Sequence, residues 1–104
     1  MTDWTEVEAD WIGMRVLIGL TWLNADESFD AQEQMHGRIV SASRTEGFVI
    51  ALEGKGAGQT YSLPPDLRSF KQAPSGEYRL KSTGEVLVDP DLLTSWTITR
   101  PARV

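Results

Sequence analysis

The residues of this sequence that could carry out chemistry are few, and the first to consider is the single histidine, His36. Histidine is the usual proton shuttle near neutral pH. Nucleophilic catalysis would also need a serine held against its ring, with a carboxylate behind the ring. Ser41, Ser62 and Ser69 are available, but there is no G-x-S-x-G motif and the spacing selects none of them. We interpret His36 as a half-exposed strand residue beside Gly37, and we predict no catalytic residue.

Carboxylates are the second possible source of chemistry, because two of them held in a cleft can act as general acid and base. Asp89 and Asp91 flank a proline, and Asp66 follows two prolines. Aspartate beside proline is also ordinary turn chemistry, in which the carboxylate accepts backbone N–H groups or caps a short helix. We therefore interpret these aspartates as turn residues. A small hydrolase that uses Asp66, Asp89 or the histidine is an alternative.

Metal and phosphate sites are not predicted. A zinc site would lack ligands, because the chain has no cysteine and one histidine. The acidic segment 24–30 has no central glycine and contains Phe29, unlike a calcium-binding loop. The glycine-rich segment 54–58 lacks the G-K-[ST] ending of phosphate-binding loops and is typical of a hairpin loop. We expect neither a metal nor an organic cofactor.

Short strands must position these residues, since β-branched and aromatic residues recur in short runs between turn signals. The clearest run is Arg15–Leu23, with alternate apolar side chains on one face. Residues 24–33 are polar and acidic, and we expect them to form a long loop. Pro64-Pro65 should stop the sheet and lead into one short helical turn. The remaining strands are predicted at 34–43, 48–53, 59–63, 77–81, 85–88 and 95–100.

Residues 3–12 fit two patterns. Asp3 and Glu6 have the spacing of a capping box, while an alternating apolar pattern over residues 5–11 would suit a strand. We favour a short helix or turn that ends near residue 13. Trp4 and Trp11 either fold back and close one end of the domain, which we favour, or stay exposed and anchor an interface.

Six or seven short strands with almost no helix predict a mostly-β fold, either a small barrel or a sandwich. The order of a strand, a long polar loop, a three-strand meander and a proline-initiated helical turn resembles that of an SH3-like barrel. The resemblance covers roughly residues 14–99 and implies a surface groove framed by the loop and the helical turn. We predict a single domain over 1–104, with an N-terminal segment at 1–13 and a β-barrel core at 14–99. Such a fold does not define a function.

The composition is that of a folded globular protein, with 40% hydrophobic and 24% charged residues. The absence of cysteine fits a reducing compartment. Acidic residues stand at the N-terminus where a secretory signal would carry lysine or arginine, and the longest apolar stretch, 16–23, is much shorter than a bilayer span. We therefore expect a cytoplasmic protein that does not enter a membrane.

Charge is distributed unevenly along the chain. Residues 1–33 contain eight acidic residues and one arginine, a net charge of −7, whereas residues 34–104 have a net charge of +2. An acidic surface repels phosphate backbones, so we expect no nucleic-acid partner, but it attracts a basic protein. The candidate binding residues are those of the acidic loop and its neighbours: Asp26, Glu27, Asp30, Glu33, Trp22 and His36.

Several short phrases resemble those of small uncharacterised bacterial proteins, some of which are suspected to be immunity proteins that neutralise a partner toxin. The phrases are GLT at 19–21, HGRI at 36–39, LPPDL at 63–67, GEYRL at 76–80, STGE at 82–85 and DPD at 89–91 followed by Trp96. None of them is a chemical motif, so the resemblance implies a family and not an activity.

The sequence therefore predicts a non-catalytic protein-binding module that docks a protein partner, one of basic charge, through its acidic loop and the neighbouring aromatic residues. An immunity-type protein whose acids cover a basic toxin surface is the sharper form of this hypothesis. A structural or regulatory subunit that forms homo-oligomers through a sheet edge is the main alternative.

Overall fold

The computed structural model describes residues 3–102. Strands account for 51% of the described residues and helices for 13%, so the protein is mostly β, as predicted. The elements are α1 (Trp4–Asp10), β1 (Arg15–Leu23), β2 (Phe29–Ser43), β3 (Gly47–Leu52), β4 (Thr60–Leu63), β5 (Phe70–Gln72), β6 (Glu77–Arg79), β7 (Val86–Val88) and β8 (Leu92–Thr99), with short 3₁₀ turns at Gly54–Gly56 and Leu67–Ser69. In the described part of the chain, no helix has the length and apolar character needed to span a bilayer.

Helix α1 begins where its capping pattern places it. The Asp3 side chain accepts a hydrogen bond from the backbone N–H of Glu6 at 2.9 Å. This satisfies one of the donors left free at a helix N-terminus. The helix ends at Asp10, and its fully buried residue, Val7, packs onto the sheet. Residues 3–12 therefore adopt the helical alternative and not the strand.

Six strands form one sheet in the order β4-β3-β2-β1-β8-β5, and β6 and β7 form a separate hairpin. Neighbouring strands of the large sheet are antiparallel except β1 and β8, which run parallel with Val16 opposite Leu92 and Leu23 opposite Thr99. In the described residues the sheet is open, with β4 and β5 as its edges. An SH3-like barrel requires closure of this sheet and stays a prediction.

Strand β2 is longer than the sequence indicates. The expected loop over 24–33 is wrong in its second half, because β2 begins at Phe29 and pairs with β1 from there. Only residues 24–28 form the turn of this hairpin. Strand β2 has a bulge between Ile39 and Ser41, which does not involve Gly37. Gly37 is needed for another reason, since a Cβ at this position would collide with the carbonyl oxygen of Ala51 on β3.

The core lies on one face of the sheet, beneath α1. Phe48 is fully buried at its centre, with its ring centroid 4.5 Å from that of Phe70 and 5.4 Å from that of Trp4. The Trp11 ring stacks 5.9 Å from Phe48. Both N-terminal tryptophans therefore fold back and cover one end of the core, as favoured from the sequence. Strand β5 was not predicted; it carries Phe70 into this cluster.

The hairpin β6–β7 covers part of the opposite face. Leu80 and Leu87 from this hairpin pack on Leu17 of β1, and all three are buried. Tyr78 and Leu93 border the cluster and are partly buried. The sheet thus has a large core on one face and a small one on the other.

Candidate functional site

The structure brings the predicted binding residues together, with the exception of His36. Trp22 lies on β1, Asp26 and Glu27 lie in the turn that follows, and Asp30 and Glu33 lie on β2. His36 is opposite Leu17 in the β1–β2 register, so its side chain is on the face covered by the β6–β7 hairpin. Glu33 is opposite Leu20, and its side chain is on the core face.

Asp26 and Glu27 shape the turn. The Asp26 carboxylate accepts hydrogen bonds from the Ser28 hydroxyl at 2.6 Å and from the Ser28 backbone N–H at 3.0 Å. These two bonds lower the pKa of the Asp26 carboxyl. Glu27 has a φ of 70°, a left-handed conformation that non-glycine residues adopt at a cost. Asp26 therefore has a structural role in this turn.

Asp30 is already paired with a cation of the same chain. The Arg100 Nε donates to Asp30 Oδ2 at 2.6 Å, and the Arg100 guanidinium carbon lies 4.6 Å from the centroid of the Trp22 ring. A guanidinium over an indole face is stabilised by the quadrupole of the ring. The charge of Asp30 is therefore compensated within the protein and is less available to a partner than the sequence suggests.

Glu33, unlike Asp30, is not paired with a cation in the described part of the chain. Its carboxylate accepts a hydrogen bond from the Trp22 Nε1 at 2.8 Å. Among residues 3–102, no lysine, arginine or histidine nitrogen lies within 4.0 Å of it. Partial burial raises the pKa of Tyr61, and the negative charge of Glu33 raises it further. Glu33 thus lies near Tyr61 of β4 although the two belong to strands that do not pair.

A groove runs between β4 and β8 on the core face, beside Glu33. It has a volume of about 350 Å³ and is lined mainly by apolar groups. Leu20 forms its floor, Tyr61 and Pro64 lie on one wall, and Trp96 and Ile98 lie on the other. Tyr61, Trp96 and Ile98 are partly buried and pack against the main core. These three residues were missed as site residues, because their apolar character alone indicates a core position.

Both walls of the groove are strand edges. Within residues 3–102, strand β4 pairs only with β3, and β8 beyond Thr94 pairs only with β1. The Leu52 N–H donates to the Gln59 carbonyl, so alternate residues of β4 turn their backbone groups toward β3. The backbone N–H and C=O groups of Thr60 and Ser62 therefore point away from the sheet. Such edges are where another chain can add by strand pairing.

His36 belongs to a different cluster. Its Nε2 lies 3.2 Å from Glu85 Oε2 on the β6–β7 hairpin, and its Nδ1 lies 4.0 Å from Glu53 Oε1. The hydrogen bond with His36 is the main cause that lowers the pKa of Glu85. Position 54, beside this cluster, requires glycine, because a Cβ there would collide with the Glu85 carboxylate. Through its hydrogen bond with Glu85, His36 therefore links the β6–β7 hairpin to β2 of the large sheet. The residues that the structure describes include no group arranged to hold a metal ion.

The aspartates considered for catalysis have separate structural partners. Asp66 caps the 3₁₀ turn at Leu67–Ser69 and accepts hydrogen bonds from the Arg68 side chain, which lower the pKa of Asp66. Asp89 accepts from the Gly76 N–H at 2.7 Å. Asp91 accepts from the Arg15 N–H at 2.8 Å. These are the turn roles predicted for Asp beside Pro.

In comparisons with known proteins, no family model, no curated protein and no solved structure matches this chain.

Proposed function

We propose that this chain is a non-catalytic protein-binding module whose binding surface is the groove between β4 and β8 together with Glu33. The observation that carries the proposal is the uncompensated carboxylate of Glu33 beside an open groove of aromatic and aliphatic side chains. Groups of this kind, an apolar anchor site with a charged residue at its border, are typical of protein interfaces.

The aromatic residues support a protein partner. Tryptophan and tyrosine are enriched among the residues that contribute most to binding, because they bury a large area with few rotatable bonds. Trp22, Tyr61 and Trp96 are all partly buried and lie on the core face. A partner that covers them would remove their remaining apolar surface from water, which favours association.

The charge supports a basic partner. Asp30 is neutralised by Arg100, and Asp26 is used within the turn, so Glu33 and Glu27 are the acids of this hairpin that are left for a partner. Complementary charge at the border of an interface mainly accelerates association and makes it sensitive to salt. The immunity-type form of the proposal, in which the partner is a toxin in the same cytoplasm, rests on the sequence phrases alone and is decided by the identity of the partner.

A pull-down from the lysate of the native host, at low and moderate salt, tests the proposal with two charge reversals. Glu33→Lys changes the groove, and Glu77→Lys makes the same change on β6, far along the chain and on a different sheet. We expect one stoichiometric partner that is retained by wild type and Glu77→Lys and lost from Glu33→Lys. Equal retention by all three proteins would place binding elsewhere, and no partner at either salt would contradict the proposal.

A homo-oligomer is a second candidate, favoured by the unpaired edge of β4. If two copies paired through this edge, Ser62→Pro would block the pairing. The Ser62 N–H points away from β3 and would be the donor to the second copy, whereas proline has no backbone N–H. Sedimentation of wild type and Ser62→Pro distinguishes the candidates. A dimer that dissociates in the variant supports the oligomer, and a monomer in both supports a module for another protein.

A further inference from the structure

We propose that the partner contributes an extended segment that adds as a strand between β4 and β8, with a lysine or arginine of that segment beside Glu33. This inference rests on the proposed function and specifies the kind of partner that the groove accepts. It follows from three features of the groove, which are its two unpaired edges, its apolar floor and its single uncompensated charge.

The edges provide the backbone partners. Thr60 and Ser62 direct two N–H and two C=O groups away from β3, and β4 ends at the two prolines that follow it. On the other wall, β5 begins opposite Thr94, so Ser95–Thr99 pairs on one side only, with β1, in the part of the chain that the structure describes. An extended segment is the backbone conformation that can use such groups in series, whereas a helix satisfies its own.

The floor selects the side chains of the added strand. Successive side chains of a strand point to opposite faces, so every second residue of the segment would point into the groove and the others toward solvent. The inward positions meet Leu20, Tyr61 and Trp96, which favours aliphatic residues there. The segment is therefore expected to alternate apolar and polar residues, as a half-buried strand does.

The charge selects one basic residue. Glu33 and Leu20 are opposite each other on β2 and β1, and Trp96 is opposite Leu20 on β8, so the carboxylate lies at one end of a row that crosses the floor. The same face already stabilises a guanidinium, since Arg100 lies over Trp22 and pairs with Asp30. A second cation from the partner would find in Glu33 an acceptor that Arg100 does not use.

Selection from a phage-displayed library of random twelve-residue peptides, with the full chain as bait, tests this inference whatever the identity of the partner. The selected peptides are then synthesised, and each is prepared with N-methyl groups on alternate residues, in either of the two phases. N-methylation removes a backbone donor and obstructs strand pairing on one edge while the side chains are unchanged. The methylated peptides are measured on the unsubstituted chain, so this comparison does not depend on the folding of a variant.

We expect alternating apolar and polar peptides with one lysine or arginine, and about a tenfold or greater loss of affinity from each phase of methylation, because one phase faces β4 and the other faces β8. Glu33→Gln should weaken binding about tenfold, as loss of a charge-assisted contact does. This variant keeps an oxygen acceptor for Trp22, and Glu77→Gln on β6 is the control, expected to change affinity less than about twofold.

The outcomes separate this inference from the proposed function. Peptides that bind at the groove and depend on Glu33, but tolerate both phases of methylation, would overturn strand addition and leave the binding module intact. Peptides whose binding ignores Glu33 and Tyr61→Ala would overturn both. Failure to select any peptide against the folded protein would also count against both.

Discussion

Trp22 and Glu33 lie on neighbouring strands and are joined by a hydrogen bond from the indole Nε1 to the carboxylate, 2.8 Å long. The bond holds the carboxylate on the core face, next to the groove between β4 and β8. It also fixes the indole so that its ring can accept Arg100. One residue pair thus connects the apolar part of the proposed surface with its charged part.

Substitutions at Glu33 should separate its charge from its hydrogen bond. Glu33→Gln keeps an acceptor for Trp22, and we expect a change in the free energy of unfolding below about 0.5 kcal/mol. Glu33→Leu removes the acceptor, and we expect destabilisation by about 1 kcal/mol, the usual net contribution of one hydrogen bond. Urea denaturation measures both, and equal stability of the two variants would show that the bond contributes nothing.

Glycine at position 27 should stabilise the protein. Glu27 has a φ of 70° in the β1–β2 turn, where glycine has no steric penalty. We expect Glu27→Gly to raise the free energy of unfolding by about 0.5–1 kcal/mol. Glu27→Ala removes the same side chain and keeps the penalty, so it serves as the control. If the alanine variant were as stable as the glycine variant, backbone strain would not be the cause.

The two phenylalanines Phe48 and Phe29 should respond very differently to truncation. Phe48 is 0% exposed and Phe29 is 64% exposed. Phe48→Ala would leave a cavity among Trp4, Trp11 and Phe70, and we expect it to cost about 3–5 kcal/mol. Phe29→Ala should change the free energy of unfolding by less than about 0.5 kcal/mol. Thermal unfolding checks both, and similar losses would contradict the observed core.

The sequence predicts part of this architecture well. The bounds of β1 are as expected, because alternating β-branched residues end at a polar turn. The Asp3–Glu6 capping pattern identifies α1, because a cap is a local interaction. Local signals of this kind act over a few residues, so the chain itself contains enough information to locate them.

Features that depend on distant residues were not predictable. Residues 29–33 form a strand because β1 provides partners for their backbone groups, although their side chains are mostly polar. The parallel pairing of β1 and β8 joins segments about seventy residues apart and has no local signature. The groove likewise depends on how the sheet brings Tyr61 toward Trp96. Glu33 was proposed from its charge alone, without the aromatic neighbours that distinguish it from Asp26 and Asp30.

Stability should depend on pH through Glu85. Its pKa is lowered in the folded protein by the hydrogen bond with His36, so the ionised carboxylate stabilises the fold. This contribution is fully present above the pKa of the unfolded glutamate and is lost as the pH falls through the lowered pKa of the folded state. Glu85→Gln should therefore be less stable than wild type at neutral pH, with a difference that shrinks in the acid range.

Chemical denaturation of wild type and Glu85→Gln at several pH values measures this difference. Glu77→Gln, on the same hairpin, is the control, because no hydrogen bond to that carboxylate is observed among the described residues. A stability difference that is constant with pH would mean that ionisation of Glu85 does not support the attachment of the hairpin.

The central claim, that the groove between β4 and β8 is the binding surface, is tested most directly by amide and indole NMR signals recorded with and without the captured partner. We predict that the signals of Tyr61, Trp96 and Ile98, and the indole N–H of Trp22, change most, while those of the β6–β7 hairpin stay unchanged. Changes confined to that hairpin or to α1, with the groove signals unaffected, would contradict the account.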